Sequence, residues 1–422
     1  MKKALSILLA MGMTVGMVAG CGDTADNSSA ADNSAAASTE AGTDGTQAAA
    51  SAADIKVGVI YIGDENEGYT AAHMAGIDEM AANLGLSDDQ IIEKTTIPED
   101  ESCYDAAVDL ADQGCNIIFA TSFGHETYIL QAAQEYPDIQ FCHATGYQAA
   151  SSGLSNMHNY FDAIYEARYV SGVVAGMKLN EMIANGDITE DQAKMGYVGA
   201  YTYAEVISGY TSFFLGARSV CPSVTMDVTF TGSWYDETAE KEGANKLIED
   251  GCVLISQHAD SMGAPTACET AGVPNVSYNG STASACPNTF LVSSRVNWEP
   301  YFEYAINCVA EGTPIDADWT GTLETGSVEL SELGTNVAEG TKEAIDAAAE
   351  AIKAGTLHVF DTTTFTVEGA ELTSYEADVD TDADYAPDHE VVSDGYFHES
   401  EYRSAPYFNV QIDGINLLNT VF

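Results

Sequence analysis

Residues 56–62 have the sequence Lys-Val-Gly-Val-Ile-Tyr-Ile, a continuous apolar run typical of a strand buried on both faces of a parallel sheet. A polar loop follows at 63–68. Apolar residues then recur at helical spacing from Met74 to Leu84, and Gly85 supplies a stop signal for the helix. This order of buried strand, polar loop and amphipathic helix predicts an α/β fold.

The same unit recurs along the chain, which extends the prediction to two lobes. In the first series, strands are predicted at 91–92, 115–120 and 139–142, with helices at 104–111 and 127–136. A second series begins with a long helix, rich in small residues, at 161–183. Its predicted strands lie at 195–199, 224–230, 252–257 and 276–278.

The pattern therefore predicts two Rossmann-like lobes with parallel sheets, joined by a hinge of crossovers. Later returns of the chain assign residues 54–160 and 290–318 to an N-terminal lobe. Residues 161–289 and 319–360 are assigned to a C-terminal lobe. The remaining 361–422 is predicted to be a C-terminal extension that packs on the lobes.

The N-terminus predicts export. Lys2 and Lys3 precede an apolar stretch that is too short to span a membrane, which indicates a signal peptide over 1–20. It ends in Val-Ala-Gly followed by Cys21, the pattern of a lipoprotein signal, so we expect Cys21 to carry a lipid that anchors the protein outside the cytoplasm. The alternative is an ordinary signal peptide with a chance cysteine. Residues 21–53, rich in Ala, Ser and Thr, predict a flexible tether.

Charge restricts the partners. The chain has 14 Lys and Arg against 65 Asp and Glu, a net charge of -51, which argues against electrostatic binding of nucleic acid or anionic lipid and favours a monomer. None of the eight cysteines after Cys21 has a C-x-x-C spacing, and several lie in apolar runs. We expect most of them to be buried, reduced core residues.

Ligands of open parallel sheets bind at the carboxyl ends of the strands, so the loops there contain the candidate site. Aromatic residues are concentrated in these loops, and flat rings from two lobes can enclose a planar ligand. The alternative for each aromatic residue is that its side chain covers the apolar end of the sheet. Asp260 and Asn279 can form hydrogen bonds to ring or sugar groups. His73 is a weaker candidate, since a histidine on a helix is more often packed. The candidate ligand-binding residues are Tyr69, His73, Ser122, Phe123, Trp234, Asp260 and Asn279.

Signatures of catalysis are missing from the sequence. The loop at 63–68 lacks the G-x-G-x-x-G spacing and the P-loop lysine, and no G-x-S-x-G motif occurs. The eight histidines are scattered without metal-ligand spacing. We therefore expect a protein that is not an enzyme, with no cofactor and no metal.

Several motifs together resemble the basic membrane protein family of solute-binding lipoproteins, which includes purine-nucleoside-binding proteins of ABC importers. They are 56–76, 121–124, 159–161 with 166–169, 216–220, 232–236, 256–261, 278–279 and 297–298, while the tail at 395–408 is similar to that of a sub-branch. The resemblance implies a type I periplasmic-binding fold with three crossovers. It also implies that Tyr69 and Trp234 stack on a purine and that Asp260 binds it.

One departure from the family pattern affects the expected ligand. Many members have paired acids followed by Ser-Phe-Asn after the first strand, where this chain has Glu-Asn-Glu-Gly-Tyr-Thr at 65–70. The sequence therefore leaves three possible ligands: a free base, another small heterocycle and a nucleoside. The resemblance implies a solute-binding lipoprotein that delivers a purine nucleoside or base to the membrane subunits of an ABC importer. The alternative is a sensor ectodomain that presents a small molecule to a signalling receptor.

Overall fold

The computed structural model describes residues 55–379 and 389–421. The predicted signal peptide, Cys21 and the tether lie outside the described residues. No helix in the two described ranges combines the length and the apolar character needed to cross a bilayer.

Strands and helices alternate along the described chain. The strands are β1 Val57–Ile60, β2 Ile91–Lys94, β3 Ile117–Ala120, β4 Gln140–Ala144, β5 Met157–Asp162, β6 Lys194–Gly199, β7 Thr225–Phe230, β8 Leu254–Gln257, β9 Asn275–Tyr278, β10 Phe290–Val296, β11 Asp318–Gly321, β12 Val328–Leu330, β13 Glu376–Ala377, β14 His389–Glu390, β15 Val392–Ser393, β16 Tyr396–Phe397 and β17 Ile415–Leu417. The helices are α1 Gly68–Leu84, α2 Glu101–Asp112, α3 Glu126–Glu135, α4 Ala149–Ser152, α5 Ile164–Asn185, α6 Ala204–Val220, α7 Glu237–Glu249, α8 Gly263–Ala271, α9 Glu299–Glu311 and α10 Thr341–Lys353.

Two separate sheets organise the lobes. The first has six strands in the order β11-β5-β4-β3-β1-β2, and every neighbouring pair is parallel. The second has seven strands in the order β12-β10-β9-β8-β6-β7-β17, parallel except for the antiparallel pair of β10 and β12. The strand order of each sheet reverses beside β1 and β6, which creates the crevice where open α/β sheets bind ligands.

The chain passes between the sheets three times. It leaves the first sheet after Asp162, returns to it after Val296, and leaves it again after Gly321. These passages lie side by side, so the lobes are joined by three connecting segments rather than by one linker. Three adjacent crossings form a hinge that permits opening and closing of the lobes.

The strand pairing corrects two predicted boundaries. Residues 290–318 were assigned to the first lobe, but β10 pairs with β9 and lies in the second sheet. Conversely, the second lobe was predicted to resume at 319, but β11 pairs with β5 in the first sheet. An apolar run shows that a strand is buried, but it does not show which sheet it joins.

The C-terminal extension is an integral part of the second lobe. β17 pairs with β7 and forms an edge of the second sheet. Phe408, on the same extension, is fully buried in the second lobe's core and stacks on Phe360 with a centroid distance of 4.1 Å. The extension also contacts the first sheet, because the backbone N–H of Ser404 donates to the carboxylate of Asp318 at 2.8 Å.

The cysteine prediction can be compared with the structure. The eight cysteines of the described residues are Cys103, Cys115, Cys142, Cys221, Cys252, Cys268, Cys286 and Cys308, and all are buried with free thiols. All of them except Cys286 pack as small apolar residues in the hydrophobic cores of the two lobes.

Candidate ligand-binding cleft

A cavity of about 810 Å³ lies between the two lobes, at the carboxyl ends of their strands. Its walls come from the loops after β1, β3 and β4 of the first sheet and after β6, β7 and β8 of the second. The volume falls within the range of small-molecule sites, roughly 300–1,000 Å³. The predicted loops therefore do converge on one cavity.

Five of the seven candidate residues line this cavity directly. They are Tyr69, Ser122, Phe123, Trp234 and Asp260. Asn279 lies one layer behind, where its side-chain amide donates to the carboxylate of Asp260 at 3.3 Å. Asn279 is buried and has a φ of +56°, a left-handed conformation that asparagine tolerates better than most residues.

His73 does not reach the cavity. It is fully buried on α1, where its ring stacks on Trp298 with a centroid distance of 4.0 Å and contacts the edge of Tyr69 at 4.5 Å. Its Nδ1 lies 3.2 Å from the carbonyl oxygen of Tyr69. Burial lowers the pKa of His73 to about 3, so the ring is neutral. The histidine packs behind Tyr69.

Aromatic rings face the cavity from both lobes. Phe123 of the first lobe is 44% exposed, and its ring centroid lies 6.0 Å from that of Tyr203 in the second lobe. Tyr203 in turn lies 6.1 Å from Trp234. The aromatic residues that line the cavity are Tyr69, Phe123, Tyr147, Phe161, Tyr203, Trp234, Tyr235 and Tyr278. Rings on two opposed walls can stack on both faces of a planar ligand.

The carboxyl groups of the buried Glu67 and the half-buried Asp260 form one end of the cavity. Burial, reinforced by the nearby Glu67, raises the pKa of Asp260 well above its ordinary value. Burial also raises the pKa of Glu67, although the N–H of Thr70 donates to its carboxylate at 3.0 Å. The same bond caps α1 and fixes the Glu67 side chain. A protonated carboxyl can donate as well as accept hydrogen bonds, which suits a ligand edge that carries both kinds of group.

His258 connects this end of the cavity to the second lobe. Its Nε2 lies 2.8 Å from Glu205, and its Nδ1 lies 3.4 Å from the hydroxyl of Tyr197. Burial lowers the pKa of His258, and the buried Arg168 acts in the same direction. Arg168 lies under the cavity wall with its guanidinium 3.8 Å from the ring centre of Tyr278. In the described ranges, no group of three or more His, Cys, Asp or Glu side chains is arranged to hold a metal ion.

Several cavity residues are not among the candidates predicted from the sequence. Tyr203, Glu205 and His258 lie in or next to the loops after β6 and β8, so the rule of strand ends could have found them. Arg403 and Asn409 also line the cavity, but they belong to the C-terminal extension. No local sequence signal connects that extension to the cleft.

The match to a known family decides the identity of this two-lobed fold. The family model for PnrA-like ABC transporter substrate-binding proteins matches residues 55–359. The chain belongs to this family. PnrA-like proteins bind solutes outside the cytoplasm and work with the membrane subunits of an ABC transporter, so the family is one of solute-binding proteins rather than enzymes.

Two similar proteins carry different ligand names. A purine-binding protein of Brucella abortus is 32% identical over 318 residues, which are 74% of this chain and 85% of that protein. A Haloferax volcanii protein, provisionally named an ABC transporter glucose-binding protein, is 34% identical over 258 residues, which are 61% of this chain and 62% of that protein. The chain thus spans a little under two thirds of the Haloferax protein. The predicted resemblance is confirmed at the level of the PnrA-like family.

Solved structures support the same fold. A solute-binding protein of Conexibacter woesei has a TM-score of 0.59 at 20% identity and covers 72% of this chain and 98% of that chain. A solute-binding protein of Aeropyrum pernix has a TM-score of 0.60 at 17% identity and covers 72% of this chain and 93% of that chain. At such identities the likeness concerns the fold, and it confirms the predicted type I periplasmic-binding fold.

Proposed function

We propose that this PnrA-like protein binds a purine base or purine nucleoside in the interlobe cleft and delivers it to an ABC importer. The observation that carries the proposal is the pair of aromatic walls, one on each lobe, around a cavity with carboxyl groups at one end. Aromatic faces bind the flat purine ring, and carboxyl groups bind its N–H edge or a ribose hydroxyl. The relationship to the Brucella purine-binding protein supports the same ligand class.

The cavity residues have separate roles in this proposal. Trp234 and Phe123 stack on the ring from opposite lobes, and Tyr69 closes the inner end. Asp260 binds a polar edge of the ligand, and Asn279 orients its carboxyl group. Ser122 offers a hydroxyl at the first-lobe wall, although that hydroxyl already donates to Glu99 at 2.6 Å. A ligand that contacts both lobes stabilises their closed arrangement, which the importer then recognises.

A thermal-shift screen of the purified protein tests the ligand class. Purine bases, nucleosides, pyrimidines, glucose and amino acids are compared, because a ligand at about a hundredfold excess over Kd stabilises the protein by roughly 2.7 kcal/mol. We expect a shift with purines. The Trp234→Ala variant should bind about fivefold to 150-fold more weakly, since stacking of a base on an aromatic ring contributes about 1–3 kcal/mol.

Trp319→Ala provides the matched control. Trp319 is half-buried on β11 of the first lobe and does not line the cavity. It should lower the melting temperature without changing the affinity. A shift of the melting temperature with glucose alone would contradict the purine proposal. The protein would then be a solute-binding protein for sugars.

We also propose that Cys21 carries the lipid anchor. The proposal rests on the sequence that precedes Cys21, since the residue lies outside the described part of the chain. Cys21→Ser should release the protein from the membrane fraction into the medium, as followed by detergent-phase partitioning. Retention of the variant in the detergent phase would contradict a lipid on this residue.

A further inference from the structure

The C-terminal extension forms a third wall of the cleft. Arg403, Ala405, Pro406 and Asn409 line the cavity, whereas the match to the family ends at residue 359. This wall therefore comes from a part of the chain that the family model does not cover. A wall that lies outside the family match can give the site a selectivity of its own.

Contacts to both lobes hold this wall in place. The carboxyl group of Glu399 accepts hydrogen bonds from the N–H groups of Tyr407 and Phe408 at 3.3 and 2.8 Å, which closes the segment into a compact loop. Phe408 is buried in the second lobe's core. Ser404 is bound through its N–H to Asp318 on the first sheet. Because the segment is fixed before any ligand arrives, binding does not require it to become ordered.

The guanidinium of Arg403 is oriented at the cavity surface. It lies 5.2 Å from the ring centre of Tyr147, on the first-lobe wall, and 5.8 Å from that of Tyr407. Its Nε donates to the carbonyl oxygen of Ala405 at 3.1 Å. Among the described residues, this is the hydrogen bond that Arg403 makes, so its two terminal nitrogens keep their donor capacity for a ligand.

The charges around the cavity restrict what Arg403 can bind. Among the described lining residues, Arg403 is the single Lys or Arg, and it faces a cavity that also contains Asp64 and Glu205. A guanidinium only donates hydrogen bonds, so the ligand must present acceptors on this side. A ligand with a full negative charge would be repelled by the carboxylates. A neutral ligand with two adjacent acceptors satisfies both conditions.

We propose that Arg403 selects 6-oxopurines over 6-aminopurines. The O6 and N7 atoms of a 6-oxopurine are two adjacent acceptors whose spacing matches the donor fork of arginine. A 6-aminopurine instead places an N–H donor next to N7, and this donor opposes one arm of the fork. The inference rests on the proposed function and names the subclass of purine.

Calorimetric titration with matched ligands tests the selectivity. Hypoxanthine is compared with adenine, and inosine with adenosine, on the wild type, Arg403→Met and Arg295→Met. Whichever pair binds, bases or nucleosides, the wild type should have an affinity about fivefold to 100-fold higher for its 6-oxo member, which is the discrimination that one bidentate base contact provides. Arg403→Met should reduce this preference to within about twofold, because it keeps the length of the side chain but removes the donors.

Arg295→Met is the control for loss of an arginine. Arg295 lies outside the cavity and pairs with Glu329 at 3.2 Å on the surface, so its variant should keep the full preference. Arg403→Lys keeps the charge without the fork and should show a reduced preference. This variant keeps the test valid if Arg403→Met fails to fold, which melting curves without ligand reveal.

Each remaining outcome overturns the inference in a distinguishable way. If Arg403→Met keeps the wild-type preference, or loses affinity equally for both members of a pair, Arg403 is not the selective group and purine binding stands. If the wild type prefers the 6-amino member, the inference is wrong and purine binding again stands. If the wild type binds no purine, the proposed function fails together with the inference.

Discussion

The two lobes are built from the same α/β unit, but their helices approach each other differently. In the second lobe, Gly172 on α5 and Gly216 on α6 each face a backbone carbonyl of the partner helix, and a Cβ at either position would collide with it. In the first lobe, α1 meets the start of α9 at Gly76, where a Cβ would lie 3.0 Å from the backbone nitrogen of Glu299. The second lobe therefore depends on backbone contact, whereas the first lobe has slightly more room.

The difference predicts that one methyl group destabilises the second lobe more than the first. Gly216→Ala forces α5 and α6 apart and should cost about 3 kcal/mol or more, at the upper end of overpacking effects. Gly76→Ala should cost about 1–2 kcal/mol. Urea unfolding of both variants measures the free energies. Gly280→Ala is the control, because a Cβ there meets nothing within 4 Å. Equal losses for Gly76→Ala and Gly216→Ala would contradict the comparison.

Buried titratable groups also differ between regions. His73 and His125 of the first lobe are buried, and burial lowers the pKa of His73 to about 3 and that of His125 to about 4. The C-terminal extension instead contains Glu399, where burial raises the pKa to about 8. The histidines favour folding at neutral pH over acidic pH, and Glu399 favours folding at acidic pH over alkaline pH.

Glu399→Gln should change the stability profile between pH 4.5 and about 8. The ordinary pKa of a glutamate is about 4.5, so Glu399 stabilises the folded protein fully below pH 4.5, and this contribution is lost as the pH rises to about 8. Over that window the wild type should lose about 1.4 kcal/mol per pH unit from this group. The variant lacks the titration and keeps the acceptor oxygen, so its profile should be flatter.

Urea unfolding between pH 4.5 and 8 measures this change. Glu371→Gln is the control, since Glu371 is exposed on the same C-terminal extension. The control removes one charge and should leave the slope unchanged. Parallel profiles for wild type and Glu399→Gln would show that the extension does not contain a neutral buried acid.

Much of the fold can be predicted from the sequence, because buried parallel strands are continuous apolar runs. The predicted strand at 115–120 contains β3, and the predicted helix at 161–183 overlaps α5. The helix begins three residues later than predicted, because Phe161 and Asp162 form the end of β5. The edge strand β17 was not predicted, because three residues at an edge carry too little pattern.

The candidate site is only partly predictable, for a geometric reason. Trp234 and Asp260 follow strands directly, so the rule for strand ends locates them. Arg403 reaches the cavity through the packing of Phe408 and the bond from Ser404 to Asp318, which are contacts between residues distant in sequence. His73 is one helical turn from Tyr69, and the sequence does not show that the turn points into the core.

His73→Leu gives the smallest expected effect at neutral pH and sharpens the contrast with Glu399. His73 is neutral in the folded protein and protonated in the unfolded chain below about pH 6.5, so its contribution to stability is complete above pH 6.5 and is lost as the pH falls towards about 3. The variant has no side chain that takes up a proton on unfolding at this position. On acidification through this window, its free energy of unfolding should therefore fall less steeply than that of the wild type, with a slope smaller by about 1.4 kcal/mol per pH unit. At pH 7 the free energy of unfolding of the variant should lie within about 1 kcal/mol of the wild type. The variant loses the hydrogen bond between the His73 ring and the carbonyl of Tyr69, but it also removes the buried Nε2 of His73, which has no hydrogen-bond partner, and buries an apolar side chain instead. Met80→Leu, on the same helix and fully buried, controls for a change of core packing without a titratable group.

The purine affinity of His73→Leu should change less than about twofold, since His73 supports Tyr69 from behind. A larger loss of affinity with an unchanged acid profile would return His73 to the ligand-binding wall.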